Sequence, residues 1–390
     1  MAKAVVLGGG FAGLEAAIFL RKQGIATTLI AERDFLWIYP ISIWIPTGGI
    51  TPDKVKMPLA DLVKRHGFDL IVDPVKAIDP ERQVVTLAQS EEHYDYLILA
   101  LGQAKMKPPG VEHTLSICGA PDQAILIHER LQDLVKQGGG KVAFGFGGNP
   151  KDKSAVRGGP VFEVLFNVDH WLKKKKIRDR FDLHFFAPME KPGEKMGPKA
   201  LDAMAGFYKR AQVTVHTGTK IREFTEQGVE FVDDTSLRAD LVLFTPAGSG
   251  HPLVKNCGLS LNEAGFVEVD AQCRAKGQER IWAAGDIAAL DGPAWGAKQG
   301  HVAEVMARIA AEDIALAIEH GGHQRALDDY TKHIEILCLM DAGNGGAMVH
   351  RTEKKASLIP LPIIGHWMKV GWGFYWKWSK MGRLPRLPGM

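Results

Sequence analysis

Residues 4–13 read AVVLGGGFAG, an apolar strand-like run that leads directly into a glycine-rich loop. Residues 14–22 then have the composition of a helix, and residues 25–30 that of a second buried strand. In such a unit Gly8 makes the tight turn, Gly10 lets the backbone approach a pyrophosphate, and Gly13 lets helix and strand pack closely. A purely structural glycine turn is the alternative. The order of strand, loop, helix and strand favours a Rossmann-like dinucleotide-binding unit.

Contacts to the dinucleotide are expected from both ends of this unit. Free N–H groups at the start of the helix, at Phe11 and Ala12, would face the phosphates. Glu32 follows the second strand at the spacing at which an acid holds a ribose hydroxyl, and Arg33 comes next to it. We therefore predict cofactor contacts from the glycine loop and from these four residues.

Length and composition exclude several classes of protein. At 390 residues the chain exceeds what one hydrophobic core usually serves, so two or three domains are expected. A hydrophobic fraction of 46% and a charged fraction of 24% exclude a disordered or polytopic membrane protein. The net charge of +3 is too small for a nucleic-acid-binding surface, and the lysine run at 173–176 is interpreted as the solvated end of a helix.

The amino terminus and the cysteines exclude further features. Residues 4–7 are needed as a strand, so no cleavable export signal is expected ahead of them. The four cysteines form no Cys-x-x-Cys pair and no metal-ligand spacing, so we predict neither a disulfide scaffold nor a metal site. Cys257 and Cys273 are interpreted as packed thiols.

Two later apolar runs, at 94–102 and 281–286, end in residues that we add to the predicted cofactor contacts: Ala100, Gly102, Gly285 and Asp286. Together with the glycine loop, this order resembles the pyridine nucleotide-disulfide oxidoreductase superfamily, flavoproteins with two dinucleotide-binding domains. The resemblance implies bound FAD, with Asp286 reaching the ribityl chain and the backbone of Val75 meeting the adenine. The alternatives are a helix-capping role for Asp286 and a plain strand position for Val75.

The middle of the chain resembles a second, degenerate nucleotide-binding domain inserted into the first. Residues 145–150 begin like a phosphate loop, but Asn149 and Pro150 interrupt it, and the next helix opens only after 158–160. The strand predicted at 181–186 ends without an acid for a ribose hydroxyl. We therefore expect the fold to be kept without tight NAD binding.

Two cysteines carry a more specific resemblance. Cys118 follows Ser-Ile, and Cys338 lies within an apolar run that is followed by Asp-Ala-Gly. The chain is similar to the sulfide:quinone oxidoreductase family at these two cysteines. It is also similar to that family at 159–163 (GPVFE), at 297–299 (AKQ) and in its aromatic, lysine-rich end. The similarity covers essentially the whole chain.

This second resemblance implies a set of catalytic residues. Cys338 would carry sulfur or attack the flavin, and Cys118 would be its candidate partner. Glu163 would move protons, and Lys298 would hold negative charge on reduced flavin or quinone; an ordinary helix salt bridge is the alternative for both. The third cysteine of the family is absent, and Arg157 is the residue that best matches its position.

The carboxyl-terminal segment has a basic and aromatic character. No acid follows Glu353, and four of the nine tryptophans lie beyond it. On a helix, one face would be apolar and the other would carry Lys369, Lys377 and Lys380, with Trp376 breaking the pattern; the apolar face would comprise Ile364, Trp367, Met368, Gly371, Phe374, Tyr375 and Trp378. Such a helix lies in a membrane interface without spanning it. Core packing or an oligomer seam is the alternative.

The fold class predicted from these features is α/β, with two Rossmann-like domains and a carboxyl-terminal amphipathic membrane-binding segment. We expect a discontinuous FAD domain at 1–120 and 266–330, the second domain at 121–265, and the membrane segment at 331–390. The predicted function is FAD-dependent oxidation of sulfide or a related sulfur compound, with electrons passed to quinone at the membrane surface. The alternatives are a type II NADH:quinone oxidoreductase and a catalytically impaired flavin-binding membrane partner or sensor. A homo-oligomer is compatible with each of these.

Overall fold

The computed structural model of the protein describes residues 2–322 and 324–386. Its amino-terminal part alternates apolar strands with helices, and then adds short antiparallel strands. The elements of this part are β1 (Lys3–Leu7), α1 (Phe11–Lys22), β2 (Ala26–Ala31), β3 (Phe35–Trp37), α2 (Tyr39–Ser42), α3 (Pro52–Val55), β4 (Lys56–Pro58), α4 (Leu59–His66), β5 (Asp69–Val72), β6 (Val75–Asp79), β7 (Val84–Leu87), β8 (Glu91–His93), β9 (Tyr96–Leu99) and β10 (Ala104–Lys105).

The middle of the chain repeats the alternation, and the last part ends on a three-stranded meander and a helix. The middle elements are α5 (Pro121–Lys136), β11 (Gly140–Phe146), α6 (Gly159–Lys174), β12 (Phe181–Ala187), α7 (Pro198–Arg210), β13 (Val213–Thr217), β14 (Ile221–Thr225), β15 (Gly228–Phe231), β16 (Ser236–Arg238), β17 (Leu241–Thr245) and β18 (Gly248–Ser249). The last elements are β19 (Ile281–Ala283), α8 (Gly300–His320), β20 (Ile336–Asp341), β21 (Gly345–Arg351), β22 (Ala356–Pro362) and α9 (Ile364–Lys380).

The first Rossmann-like unit contains a parallel sheet in the order β19-β9-β1-β2-β5. Residues 4–7 of β1 are fully buried, as expected of a central strand in a parallel sheet that is covered on both faces. Because β19 comes from late in the chain, this unit is discontinuous, as predicted. The residue boundaries given for the domains stay predictions.

The second unit contains a parallel sheet in the order β13-β12-β11-β17, and the antiparallel sheet β14-β15-β16 is inserted between β13 and β17 in the chain. The α/β class with two Rossmann-like units is therefore confirmed. Helix α1 begins at Phe11, earlier than its composition predicted, because the loop residues already form helical hydrogen bonds: the amide N–H of Leu14 donates to the carbonyl oxygen of Gly10 at 3.0 Å.

The carboxyl-terminal part forms the antiparallel sheet β20-β21-β22, against which α9 packs. Helix α9 also approaches α2 closely, since a Cβ atom on Gly373 would lie 2.8 Å from Cγ2 of Ile41. Among residues 2–322 and 324–386, no helix has both the length and the apolar character needed to cross a membrane.

Buried ion pairs hold the end of α9 against the first unit. The Lys380 Nζ atom lies 2.6 Å from Oε2 of Glu15, in α1, and 2.8 Å from Oε1 of Glu304, in α8. The Trp376 indole N–H donates to Oε1 of Glu304 at 2.8 Å. All four side chains are almost completely buried. Removing one partner of such a group leaves an uncompensated charge in a medium of low dielectric constant.

We expect Lys380→Met to lower the free energy of unfolding by about 3 kcal/mol, because Glu15 and Glu304 lose a shared buried cation. Urea denaturation of the flavin-loaded protein measures this change. Lys174→Met, at the exposed end of α6, is the control and should change stability by no more than about 0.5 kcal/mol. Equal denaturation midpoints for Lys380→Met and the unchanged protein would show that these ion pairs do not anchor the helix.

Candidate functional site

A cavity of about 1800 Å³ lies between the two Rossmann-like units and the carboxyl-terminal helix. The carboxyl ends of strands β1, β2, β9 and β11 open onto it, which is where ligands bind in open α/β sheets. Apart from Gly13, every residue predicted for the site contributes to its lining: Gly8, Gly10, Phe11, Ala12, Glu32, Arg33, Val75, Ala100, Gly102, Cys118, Glu163, Gly285, Asp286, Lys298 and Cys338.

The glycine loop has the geometry of a phosphate cradle. Gly8 has a φ of +114°, and a Cβ atom there would lie 2.3 Å from the carbonyl oxygen of Ala100. A Cβ atom on Gly13 would lie 1.8 Å from the carbonyl oxygen of Gly8, so only glycine permits this packing of helix on strand. At Gly10 the same atom would meet nothing within 4 Å, which leaves the helix start open to a phosphate. The loop therefore fits a dinucleotide.

The segment with Gly285 and Asp286 lies directly over this loop. Gly285 has a φ of +78°, and a Cβ atom on it would lie 3.1 Å from that of Ala12. The Asp286 carboxylate forms an ion pair with the guanidinium of Arg157, the residue that best matches the missing third cysteine. Sequence reasoning did not anticipate this partner. The Arg157 Nε atom is buried and has no hydrogen-bond partner.

Lys298 is buried in the cavity wall. Its ammonium group donates to the carbonyl oxygen of Ala288 and lies 4.0 Å from the ring centre of Phe266. Burial lowers the pKa of Lys298 to about 7. In the part of the chain that the structure describes, no carboxylate forms an ion pair with Lys298, so the alternative of an ordinary helix salt bridge is wrong for this residue.

Cys338 lies beside a buried ion pair that crosses between elements. Glu163, in α6, accepts a hydrogen bond from the amide N–H of Asp341 at 2.8 Å and pairs with the ammonium group of Lys369, in α9. Glu163 thus forms a salt bridge, as the alternative expected, but one that joins two helices; its role in proton transfer stays a prediction. Burial raises the pKa of Glu163, and Lys369 opposes that shift. Burial, with a further contribution from the Glu163 carboxylate, raises the pKa of Cys338 to about 12.

The carboxylate of Asp341 fixes the end of the strand that carries Cys338. It accepts hydrogen bonds from the Trp44 indole at 2.7 Å and from Nδ1 of His366 at 3.0 Å. The Asn167 side chain donates to the carbonyl oxygen of Asp341 at 3.3 Å and to that of Glu163 at 2.9 Å. These bonds join α6, β20 and α9 around the thiol.

Cys118 lines the same cavity on the side of the first unit. Its thiol is buried, and the neighbouring Gly119 accepts a hydrogen bond from the Tyr39 hydroxyl at 3.0 Å. Cys118 and Cys338 are both free thiols, as are Cys257 and Cys273. The pairing of the two cavity cysteines stays a prediction.

The comparisons with known proteins agree with this geometry. The family model described as pyridine nucleotide-disulphide oxidoreductase matches residues 2–311, which is more than half of the chain. The chain belongs to this family. It is an FAD-binding flavoprotein oxidoreductase, as the glycine loop and the Gly-Asp segment predicted.

Several members of the family resemble this flavoprotein. The sulfide-quinone reductase of Aquifex aeolicus is 22% identical over 404 residues, covering 96% of this chain and 90% of the relative. The crystal structure of the sulfide:quinone oxidoreductase from that bacterium has a TM-score of 0.87, with 21% identity and coverage of 98% and 92%. A structure of NDH2 from Plasmodium falciparum in complex with NADH has a TM-score of 0.75, with 12% identity and coverage of 100% and 99%.

The second unit of this flavoprotein has a phosphate-loop segment that folds onto itself. The buried Asn149 side chain donates to the carbonyl oxygen of Gly248 at 2.8 Å and accepts from the amide N–H of Lys151 at 3.0 Å. The Cε atom of Met189 lies 3.3 Å from where a Cβ atom on Gly148 would be. Hydrogen bonds and side-chain contacts within the protein thus hold the bend at Asn149, where the phosphate loop was expected to be interrupted.

Helix α9 of the flavoprotein has the predicted amphipathic character, but its lysines point inward. Lys369 and Lys380 are buried in ion pairs, and the Lys377 ammonium group donates to the carbonyl oxygen of Lys54. The expectation that these lysines form an outer polar face is wrong, because buried carboxylates attract Lys369 and Lys380 and backbone carbonyl oxygens accept from Lys377. The exposed apolar side chains are Ile363, Ile364, Trp367, Met368, Val370, Phe374 and Trp378.

Trp376 is the second departure on this helix. It is buried, and its ring centre lies 4.7 Å from that of Phe11 in the glycine loop. The residue that broke the sequence pattern therefore joins α9 to the cofactor loop. Gly371 and Tyr375, predicted on the apolar face, line the cavity together with Trp372.

Sequence reasoning missed the partners of several site residues. Lys369, His366 and Trp44 come from two distant segments, and nothing in their local patterns marks them as neighbours of Cys338. Asp341 follows Cys338 on β20, but its hydrogen-bond partners could not be predicted. The one usable signal was a lysine, Lys369, between Met368 and Val370 on a segment that contains no acid to pair with it.

We expect Glu163→Gln to make Cys338 more reactive towards iodoacetamide at a given pH. The substitution removes a carboxylate that raises the thiol pKa and leaves Lys369 unpaired, so the pKa of Cys338 falls and more thiolate is present. Mass spectrometry of the peptide that contains Cys338, after timed alkylation between pH 7 and 10, measures the shift. Glu335→Gln is the control, because the Glu335 side chain pairs with His350. An unchanged alkylation profile for Glu163→Gln would contradict the electrostatic coupling.

Proposed function

We propose that this flavoprotein oxidises sulfide, or a related reduced sulfur compound, at Cys338 and passes the electrons through FAD to a membrane quinone. The main support is that Cys338, with the ion pair of Glu163 and Lys369, lines the same cavity as the glycine loop. The match to a sulfide-quinone reductase over nearly the whole chain also supports the proposal.

The proposed reaction places the sulfur atom on Cys338. The thiol and hydrosulfide together become a persulfide, releasing two electrons and one proton, and the quinone takes up two electrons and two protons, one of which comes from solution. Bound FAD supplies the two-electron relay between the sulfur and the quinone. Cys118 is the proposed second thiol of this exchange.

Glu163 and Lys369 would handle the proton that leaves the sulfur. A thiol whose pKa is about 12 is almost entirely protonated at neutral pH, so it needs a base beside it before it can react. Burial raises the pKa of Glu163, so its carboxylate is a stronger base than that of an exposed glutamate, which suits it to proton transfer. We propose that Lys298 stabilises negative charge on the reduced cofactor or quinone.

The apolar face of α9 supports quinone delivery from a membrane. Trp367 is 66% exposed and Phe374 is 56% exposed, while Met368, Trp372 and Tyr375 line the cavity from the same helix. A quinone dissolved in lipid would thus meet a continuous apolar path from the membrane surface to the cavity. We propose that the protein lies on the membrane as a peripheral protein.

A type II NADH:quinone oxidoreductase is the second candidate. The structural similarity to NDH2 and the 24% identity over 300 residues to a demethylphylloquinone reductase of Synechocystis support it. Strand β12 (Phe181–Ala187) ends without the acid that would hold a ribose hydroxyl of NADH, which favours the sulfur reaction instead.

We expect sulfide, and not NADH, to bleach the flavin in an anaerobic cuvette. Cys338→Ser should abolish bleaching by sulfide while FAD remains bound, because the sulfur acceptor is lost and the glycine loop is intact. Cys257→Ser is the matched control and should bleach normally. In the unchanged protein the Cys257 thiol donates a hydrogen bond to the carbonyl oxygen of Val254. If NADH bleaches the flavin and sulfide does not, the proposed oxidation of sulfide is refuted.

The same preparation tests the non-catalytic alternative. Steady-state turnover of a soluble quinone analogue with sulfide is expected. Stoichiometric bleaching without turnover would instead support an impaired flavin-binding partner or sensor.

We expect the double variant Trp367→Ser, Phe374→Ser to lose most of its binding to liposomes, since two large exposed apolar side chains are removed. Sedimentation with liposomes of anionic and neutral lipid measures the bound fraction. Leu327→Ser, a change at an apolar residue that is 90% exposed outside α9, is the control and should bind normally. Equal binding of all three proteins would contradict a membrane role for α9.

A further inference from the structure

We infer that a basic pocket at the end of α9 binds the phosphate group of an anionic phospholipid, an inference that rests on the proposed position of the protein at a membrane. The pocket has a volume of about 480 Å³ and shares no lining residue with the flavin cavity. Its charged lining comes from the ends of two helices and from the segment after α9: Lys22 of α1, Arg65 and His66 of α4, and Arg386.

Hydrogen bonds between helix ends fix the walls of this pocket. The Nε2–H group of His66 donates to the carbonyl oxygen of Lys380 at 2.6 Å. The Nη2 atom of Arg65 donates to the carbonyl oxygen of Gly382 at 3.4 Å. A guanidinium has five N–H donors, so this bond leaves Arg65 able to bind an anion as well.

The acid beside the pocket is already neutralised. Glu15 is buried and pairs with Lys380, Arg308 and Arg386. Lys380 also pairs with the buried Glu304, so three cations serve two carboxylates. No negative charge is left over for further basic side chains.

Lys22 and Arg65 add two more positive charges, and neither forms an ion pair in the part of the chain that the structure describes. The Lys22 ammonium group lies 4.5 Å from the ring centre of Phe19. Burial lowers the pKa of Lys22, and repulsion from Arg386 lowers it further. Burial lowers the pKa of His66 too, and the same guanidinium adds to the shift. Cations that repel one another in this way are stabilised by an anion between them.

The kinds of donor in the pocket suit a phosphate group. Guanidinium groups such as that of Arg65 match two phosphate oxygens at once, and an ammonium group such as that of Lys22 binds phosphate as a point charge. The volume of the pocket leaves room for the glycerol of a headgroup beside the phosphate.

The position of the pocket on α9 favours a lipid over a soluble phosphate compound. Ser379 lines the pocket, and its neighbour Trp378 belongs to the exposed apolar face of α9. The Arg383 guanidinium lies 4.9 Å from the ring centre of Trp378. Tryptophan rings are typical of the membrane–water boundary, and basic side chains beside them reach the lipid phosphates. The pocket would therefore lie at the level of the headgroups.

Liposome binding by two matched double variants tests the pocket. We expect the holoenzyme to prefer liposomes that contain phosphatidylglycerol over liposomes of phosphatidylcholine alone. The pocket variant Lys22→Gln, Arg65→Gln should bind the phosphatidylglycerol liposomes about tenfold more weakly. The control Lys64→Gln, Lys174→Gln removes the same charge from exposed positions outside the pocket, and its binding should change by no more than about twofold. Arg65→Lys keeps the charge and should retain most of the preference.

Equal affinity of the holoenzyme for both kinds of liposome would overturn the inference and leave the proposed membrane position intact. An equal loss of binding in the two double variants would also overturn it, because the preference would then reflect overall charge. Binding of soluble glycerol phosphate without a preference for phosphatidylglycerol would overturn the assignment to lipid.

The flavin reaction provides an independent readout. Bleaching by sulfide should be the same in every variant, because no residue of the pocket lines the flavin cavity. Failure of the unchanged holoenzyme to bleach with sulfide, together with a preference for phosphatidylglycerol that the pocket variant loses, would refute the proposed oxidation of sulfide and support the lipid pocket.

Discussion

The structure depends on carboxylates that are buried in the core and lysines that α9 supplies to them. Glu163 pairs with Lys369, and Glu15 and Glu304 share Lys380, all within side chains that are almost fully buried. Glu163 and Glu304 would be costly to bury without these lysines, whereas Glu15 also pairs with Arg308 of α8, so docking of the helix stabilises the cavity wall. The carboxyl-terminal helix is therefore part of the flavin site and not an appendage to it.

This constraint determines which face of α9 points outward. With its lysines bound to internal partners, the helix exposes Trp367, Phe374 and Trp378 at the surface, while Trp372 and Trp376 line the cavity. The same docking brings Trp376 against Phe11 and Lys369 near Cys338. One helix thus contacts both the cofactor loop and the surroundings of Cys338, and carries the apolar face proposed for quinone entry.

Local patterns in the sequence predicted what depends on local structure. The glycine loop and its order of strand, loop, helix and strand predicted the Rossmann-like unit from local pattern, and the resemblance carried by the Gly-Asp segment implied FAD. The environment of Cys338 could not be predicted in this way, because Glu163, Asp341 and Lys369 meet only through tertiary packing. The lysines of α9 were assigned to the wrong face because the amphipathic pattern contains no information about buried carboxylates elsewhere in the chain.

The central claim is that sulfur chemistry takes place on Cys338 within the flavin cavity. The most direct test is mass spectrometry of the peptide that contains Cys338, after one anaerobic exposure of the holoenzyme to sulfide and rapid trapping of thiols. The account predicts one additional sulfur atom on this peptide and none on the peptides of Cys257 and Cys273. A flavin that is reduced by sulfide while Cys338 gains no sulfur would contradict it.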